Sequence, residues 1–448
     1  MGANETQIKD PYGFSSLAVF PCQGIKGEVQ VPGDKSISHR AVILGSLAEG
    51  LTEVRGFLSS EDCLRTADAF KAMGIPIDEK APDQLFIRGK GLNGLVEPKD
   101  IIDAGNSGTT MRLMTGVLAG QPFFSVLTGD SSLRRRPMGR VTEPLRKMGA
   151  SIWGREGGAF APLAIRGGNL RGISYKSPVA SAQVKSALLL AGLFAQGETV
   201  VEEPSLSRDH TERMLRHFGV TLKAQGLTVG LVPPKRLEGR VLEIPGDFSS
   251  ASFLMVAALL LPESEIVLKR VGVNPTRTGL LKVLRSMGGY LELLNHREIS
   301  GEPVADIWVR SSRLSGTRVG GSLIPLLIDE IPLLALAAIR AKGRTIIQDA
   351  QELRVKESDR ISAIAQELFR MGASLQEKED GLIIEGGGSL KGSTCNSHGD
   401  HRIAMTLAIA GLLAEGETQI LDTSCICTSF PGFSQLLQQL GAEVQVYP

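Results

Sequence analysis

The sequence predicts a two-domain α/β protein, each domain built from three repeated βαβαββ-like units. Three observations lead there. At 448 residues the chain exceeds the size at which one hydrophobic core stops growing. A helix–glycine–strand segment recurs six times along it, beside a second recurring segment that is almost wholly apolar. The two halves also echo each other: Pro32-Gly33-Asp34-Lys35-Ser36 is matched by Pro245-Gly246-Asp247-Phe248-Ser249, each opening onto an apolar run.

The first recurring segment is an amphipathic helix, then a hydrophobic residue plus glycine, then a short strand. Its copies read LRTADAFKAMGIPI, TEPLRKMGASI, TERMLRHFGVTL, LLKVLRSMGGYLEL, ISAIAQELFRMGASL and FSQLLQQLGAEVQV. Their glycines, Gly74, Gly149, Gly219, Gly288, Gly372 and Gly441, stand roughly 70 to 85 residues apart. Glycine directly after a periodic helix is a left-handed cap, where a Cβ is penalised. The second segment appears as ILGSLAEGLTEVRG, LLLAGLFAQGETVVEE, LMVAALLLPESEIVLKR, LALAAIRAKGRTIIQDA and LAIAGLLAEGETQILD, with GVLAGQPFFSVLTG as a looser sixth. A helix apolar on every side must be buried on every side. Each unit therefore predicts one internal helix, one half-exposed helix and several short strands. A solenoid is the competing reading, but solenoid repeats run at roughly 20 to 50 residues. The paired PGD segments read as two chain crossings. One domain is then 34–246, and the other joins 1–33 to 247–448.

Composition narrows the function. Hydrophobic residues make up 42% and charged residues 22%, ordinary for a soluble globular protein. Aromatics are 5% and glycines number 52, which favours a core of Leu, Ile, Val and Ala with many tight turns. A net charge of +1 gives no bulk attraction for nucleic acid or a membrane surface, so any basic site must be local. The five cysteines are odd in number and lack CxxC spacing, which argues against a disulfide framework or a zinc site. The first twenty residues lack a basic stretch followed by an apolar core, so no signal peptide is expected. The longest apolar runs, such as 253–261, fall short of the roughly 20 residues that span a bilayer. The expected compartment is the cytoplasm, where the sequon at Asn4 has no meaning. No P-loop or dinucleotide fingerprint is present, since 386–392 departs from GxGxxG spacing.

Polar clusters containing a base precede the apolar helices: KSISHR at 35–40, NSGTTMR at 106–112, SAQVK at 181–185 and DHR at 400–402. Helix N-termini present unpaired N–H groups and partial positive charge, which suits anions. Ser36, Ser38, Ser107, Gly108 and Thr109 are small enough for a ligand to approach the backbone, and Arg40 and Arg112 add forked donors. One such cluster reads as an ordinary capped helix. Several at equivalent repeat positions predict converging helix ends that bind a polyanion. The charged stretch ELRVKESDR at 352–360 leads into an amphipathic helix, and a solvated helix start is its plain alternative. Arg134-Arg135-Arg136-Pro137 reads as mostly surface, with one member needed for function. Asp329 and Glu330 interrupt the apolar stretch 323–338. A carboxylate there either caps the buried helix or works as a base with a raised pKa.

Taken together, PGDKSISHR, DAGNSGTTMR, RRPMGR, SAQVKSALLLAGL, SRDHTERM, NPTRTG, IDEIPLLA, ELRVKESDR, GDHRIAM and TSFP resemble the enolpyruvyl transferase family, in its shikimate 3-phosphate branch. The match runs in order over nearly the whole chain after about residue 18. It implies a two-domain inside-out α/β barrel with the site in the cleft between domains. It also implies shikimate 3-phosphate contacts at Lys35, Ser36, Arg40, Ser181, Ala182, Gln183, Arg208, Asp329 and Lys356. Phosphoenolpyruvate would lie against Lys35, Gly108, Arg136, Gln183, Glu357, Arg360 and Arg402. The family's reaction is addition followed by elimination. By resemblance Glu357 is the acid that protonates C3, Asp329 the base near the attacking hydroxyl, and Lys35 the bridge that stabilises the departing phosphate. No metal or organic cofactor is implied. A monomer that closes on its substrates is expected, with glyphosate as inhibitor.

The chain departs from the family pattern at Leu113 (often Pro), Ser132 (often Arg) and Thr428 (Lys in some members). Glyphosate-tolerant members resemble NAATG at 106–110, whereas Gly108 here lacks the methyl that crowds the inhibitor, so ordinary sensitivity is expected. Two other readings stand beside this one. The sister enzyme acting on UDP-N-acetylglucosamine usually has Lys-Asn in the first motif and a loop cysteine; this chain has Lys35-Ser36 and no cysteine in 128–140. A non-catalytic anion-binding repeat protein would not need both Asp329 and Glu357.

Overall fold

In the computed structural model the apolar runs become six helices with almost no exposed face: Lys35–Leu47, Gly108–Ala119, Ala182–Gly192, Phe248–Leu260, Ile331–Arg340 and His401–Leu412. The structure describes residues 16–447; Asn4 and all but the last five residues of the segment read for a signal peptide lie outside them. From Phe248 to Leu259 every residue is buried, as a helix apolar on all sides requires. Five of these inner helices begin at a side-chain cap. Asp34 accepts the Ile37 N–H, Ser107 that of Thr110, Ser181 that of Val184, and Asp400 that of Arg402, while Asp247 takes those of Ser249 and Ser250. Each cap satisfies a donor the helix itself leaves unpaired. Ile331–Arg340 has no side-chain cap and carries Pro332 in its first turn, where a missing N–H costs nothing.

The amphipathic segments form outer helices at Glu61–Ala72, Gly139–Lys147, His210–His217, Gly279–Ser286, Arg360–Arg370 and Phe433–Gln439. The six recurring glycines behind them all have φ between 85° and 112°. That region is open to glycine and penalised for other residues.

Among the described residues, six four-stranded sheets share one strand order. In each, an edge strand runs parallel to its neighbour and the remaining pairs are antiparallel. For example, Val241–Glu243 lies parallel to Glu49–Arg55, which pairs antiparallel with Gln84–Lys90, itself antiparallel to Ile77–Ala81. Lys26–Val29 likewise lies parallel to Glu265–Gly272. Some edges therefore come from far along the chain. Ser16–Val19 sits between Thr418–Leu421 and Val444–Tyr447, so the first described strand completes the sheet of the last.

The two PGD segments meet. Gly33 bridges Gly246 antiparallel, the Asp34 N–H donates to the Pro245 carbonyl at 2.8 Å, and the Asp247 N–H donates to the Pro32 carbonyl at 2.8 Å. A Cβ on Gly33 would fall 1.8 Å from the Gly56 carbonyl oxygen, so the crossing requires glycine there. Buried apolar side chains form two separate clusters, one within 37–244 and one joining 17–31 to 248–444. No helix among the described residues is long and apolar enough to cross a membrane.

Candidate active site

A cavity of about 490 Å³ is lined from both sides of the crossings, by residues between 35 and 210 and between 247 and 429. That volume suits small organic ligands. Lys35 and Ser36, Gly108 and Thr109, Ala182 and Gln183, Ser249 and Ser250, and His401 and Arg402 all line it from the first turns of inner helices. Ile328 and Asp329 line it from just before the sixth, Ile331–Arg340. Six positive helix ends thus face one space. Ten Lys and Arg side chains and six Asp and Glu side chains line the cavity, a local excess of four positive charges in a chain of net charge +1. A basic site in a chain of this net charge had to be local, and this cavity is one.

All fourteen residues that the resemblance assigned to the two substrates line this cavity, whereas Ser38, Ser107 and Glu330 do not. Arg40 is buried, its guanidinium held by Thr211 Oγ1 at 2.6 Å, the Ser36 carbonyl at 2.8 Å and Ser186 Oγ at 2.8 Å. Burial pushes it down to about 10, still protonated at neutral pH. Gln183 donates to Thr109 Oγ1 at 3.1 Å and accepts from Arg112 at 2.8 Å. The Lys35 ammonium rests on Asp62 at 2.9 Å. Burial alone would lower its pKa, but Asp62 outweighs that and holds it above the ordinary value. Lys356 pairs with Glu352 at 3.3 Å, and burial holds its pKa below the ordinary value.

Arg360 ties the centre together. Its side chain is 1% exposed, with Asp400 at 2.7 Å, Glu357 at 2.6 Å and Asp329 at 3.2 Å on one guanidinium. Glu357 also meets Arg136 at 3.3 Å, and Asp329 meets Arg208 and, at 3.5 Å, Arg402. Desolvation alone would raise both carboxyl pKa values. Arg402, Arg208 and Arg360 outweigh it at Asp329, and Arg360 and Arg136 do so at Glu357, so both lie well below the ordinary range. At Asp329 this corrects the expectation of a raised pKa. The expectation of a helix cap also fails: no side chain caps Ile331–Arg340, and Glu330 instead accepts from Ser249 Oγ. A carboxylate ringed by guanidinium groups ionises more readily, not less.

The structure also decides between plain and functional readings of the charge runs. In the triple-arginine run, Arg134 and Arg135 are exposed while Arg136 is 5% exposed and turned into the cavity. The stretch at 352–360 is not a solvated helix start, since Glu352, Lys356, Glu357 and Arg360 all line the cavity.

The model for the family described as EPSP synthase (3-phosphoshikimate 1-carboxyvinyltransferase) matches residues 20–437. The chain belongs to the EPSP synthase family. A 3-phosphoshikimate 1-carboxyvinyltransferase of Geobacter metallireducens is 58% identical over 429 residues, covering 96% of this chain and 100% of that one. One of Pelotomaculum thermopropionicum is 59% identical over 430 residues, again covering 96% and 100%. The solved EPSP synthase of Acinetobacter baumannii superposes with a TM-score of 0.87 at 46% identity, covering 97% of this chain and 100% of that one.

Within this EPSP synthase fold, several cavity residues were not assigned a role from sequence. Asp62 stands in the unremarkable stretch SSEDCL, so nothing local marked it. Arg140 pairs with Glu352 at 2.7 Å across the cavity, a contact between residues too distant in sequence to be read. His401 belongs to the quoted DHR cluster. Burial, with Lys35 and Arg402 nearby, holds its pKa well below the ordinary value, so its ring is neutral at pH 7. Arg277 lay inside the quoted NPTRTG motif and Asp247 inside the second PGD segment, so both were legible as positions though not as roles.

Proposed function

We infer that this chain is a 3-phosphoshikimate 1-carboxyvinyltransferase, moving the enolpyruvyl group of phosphoenolpyruvate to the 5-hydroxyl of shikimate 3-phosphate with release of phosphate. Membership of the family over residues 20–437 supports the reaction. The observation that carries it is the meeting of all fourteen singled-out residues in one cationic cavity. Two polyanionic substrates must be desolvated there, and each charge-assisted hydrogen bond contributes about 1.5–3 kcal/mol, so many cations are needed.

Ser36, Arg40, Ser181, Ala182, Arg208 and Lys356 hold shikimate 3-phosphate, with Gly108, Arg136, Arg360 and Arg402 around phosphoenolpyruvate and Lys35 and Gln183 facing both. Asp329 takes the 5-hydroxyl proton as that oxygen bonds to C2, and Glu357 gives a proton to C3. In the tetrahedral adduct the C2–O bond to phosphate then breaks as C3 returns its proton to Glu357, and the departing phosphate, stabilised by the Lys35 ammonium, takes up the proton that Asp329 removed from the hydroxyl. Lys35 must first turn from Asp62, 2.9 Å away. Glu357 cannot donate a proton while Arg136 and Arg360 hold it as a carboxylate. The anionic groups of phosphoenolpyruvate compete for Arg136 and Arg360, and losing those partners raises the Glu357 pKa until it takes up the proton it later delivers. No metal or organic cofactor enters this reading.

The same reading makes the molecule a monomeric, cytoplasmic inside-out α/β barrel with domains 34–246 and 1–33 plus 247–448. Two separate apolar clusters and six sheets of one strand order support that division. Glyphosate competes with phosphoenolpyruvate, since Gly108 leaves open the space beside Arg136. Phosphorus NMR of the protein with both substrates tests the reaction. The phosphoenolpyruvate resonance should give way to inorganic phosphate while the shikimate phosphate stays esterified. Hydrolysis of the shikimate phosphate, or no change, would overturn it.

A further inference from the structure

Beyond the fourteen residues of the reading above, Arg277 is the most tightly enclosed cation at the cavity. It lies between Glu265–Gly272 and Gly279–Ser286, with its side chain 3% exposed. Its Nη2 donates to Asp247 Oδ1 at 3.0 Å and to Ser249 Oγ at 2.7 Å, and its Nε lies 3.7 Å from Asp34 Oδ2. Asp34 and Asp247 are the two residues where the chain crosses between its halves.

The two aspartates do different things. Asp34 caps only its own helix, through the Ile37 N–H at 2.9 Å. Asp247 caps its own helix with one oxygen, taking the N–H groups of Ser249 at 2.6 Å and Ser250 at 3.3 Å. With its other oxygen it accepts the Lys35 N–H at 3.0 Å. One carboxylate thus grips the N-termini of two helices from opposite sides of the crossing. The second of those helices begins with Lys35.

We propose that Arg277 is a positioning residue for enolpyruvyl transfer: by neutralising the Asp34–Asp247 pair it fixes the crossing, and through Asp247 the placement of Lys35. This rests on the role given to Lys35 above. Two carboxylates buried together repel each other unless a cation sits between them. Facing Asp34 are Asp247, Arg277, His210 and the Ile37 N–H; facing Asp247 are Asp34, Arg277, Arg402 and the N–H groups of Lys35, Ser249 and Ser250. Asp329 and Glu330 add negative charge around Arg277. Arg277 is the strongest charge attraction on each aspartate. Burial, and then Asp247, already hold the Asp34 pKa above its ordinary value. Without Arg277 that pair gains a shared proton far more readily, and protonation restores part of the lost order. The Arg277 Nε and Nη1 make no hydrogen bond among the described residues, so charge rather than a full fork holds Asp34. A lysine can supply the charge.

The test is the pH profile of phosphate release for the parent, R277Q, R277K and D34N/R277Q, with thermal melting of each. R277Q is expected to lose about 10²-fold in kcat at neutral pH, as a small misplacement of a catalytic group does. That deficit should shrink as pH falls. R277K should keep the parent profile. D34N/R277Q should lose the acid dependence, since asparagine still caps the helix and no longer repels Asp247. A deficit in R277Q that is the same at every pH, or an R277K as impaired as R277Q, overturns the proposal. If R277Q does not fold, the double variant carries the test: kcat within about tenfold of the parent supports it, and a full 10²-fold loss in a folded double variant overturns it. A parent that releases no phosphate overturns the functional reading and this role together, whereas an active parent with a pH-independent R277Q deficit overturns only the role of Arg277.

Discussion

Arg360 holds Asp400, Glu357 and Asp329 at once, and it acts with Arg136 on Glu357 and with Arg402 and Arg208 on Asp329, the two carboxylates assigned to proton transfer. Both native pKa values lie below those of the unfolded chain. Their contribution to stability is therefore complete above the unfolded values near 4 and is lost as pH falls toward the native ones. When substrate anions draw Arg136 and Arg360 away, the Glu357 pKa rises, so formation of the ternary complex should take up a proton. Calorimetry of shikimate 3-phosphate plus glyphosate binding, in buffers of different ionisation enthalpy, measures that proton. Uptake in the parent and its loss in Glu357→Gln are expected, and no uptake in the parent would contradict the assignment. The same variant should lose 10²–10⁴-fold in kcat, the usual scale for removing a general acid. At Gly108 a Cβ would stand 3.3 Å from Arg136 Nη1 and 2.9 Å from Arg112 Nη1. Gly108→Ala should therefore raise the glyphosate concentration for half inhibition by more than it raises the phosphoenolpyruvate KM; equal changes would show that the methyl does not discriminate. At this scale the sequence was legible where residue type and repeat position agreed. Arg136 could be separated from its exposed neighbours only by resemblance, because nothing in RRRP distinguishes its members. The pKa of Asp329 could not be read, since its cations come from residues 208, 360 and 402.

Elements were the most legible level, because burial on all sides and burial on one face leave different periodicities. The inner helices pack closely enough for single glycines to matter. A Cβ on Gly116 would fall 2.2 Å from the Ala187 carbonyl oxygen, where Gly108–Ala119 meets Ala182–Gly192. Gly116→Ala must push two buried helices apart, which costs about 1–3 kcal/mol. Urea unfolding should show a lower midpoint with an unchanged slope; an unchanged midpoint would mean the backbone yields freely there. What the sequence hid at this level is pairing. Nothing in VLE at 241–243 announces a parallel edge beside Glu49–Arg55, because short strands carry no record of their partner. The cap offered as one reading of the start of Ile331–Arg340 is absent, and proline in its first turn reduces the need for one.

At the scale of the whole molecule, Arg136–Glu357, Arg140–Glu352 and Arg208–Asp329 join 34–246 to 247–448 across the cavity. Two of these pairs use groups assigned to the substrates, so ligand binding and contact between the proposed domains are alternatives for the same charges. Arg140–Glu352 is the pair not assigned to either substrate, and its loss should loosen closure without removing a ligand contact. Small-angle scattering of Arg140→Gln with shikimate 3-phosphate and glyphosate should show less compaction than the parent; equal compaction would count against a latch there. The pairing of the two PGD segments was legible from their echo in the sequence, whereas the ion pairs across the cavity were not, because they join residues far apart in sequence. The central claim is that this cavity transfers enolpyruvyl to one acceptor. The most direct test is phosphate release from phosphoenolpyruvate with shikimate 3-phosphate, against UDP-N-acetylglucosamine as acceptor. Release with shikimate 3-phosphate alone is the expected result; release with the nucleotide sugar, or with neither, would contradict it.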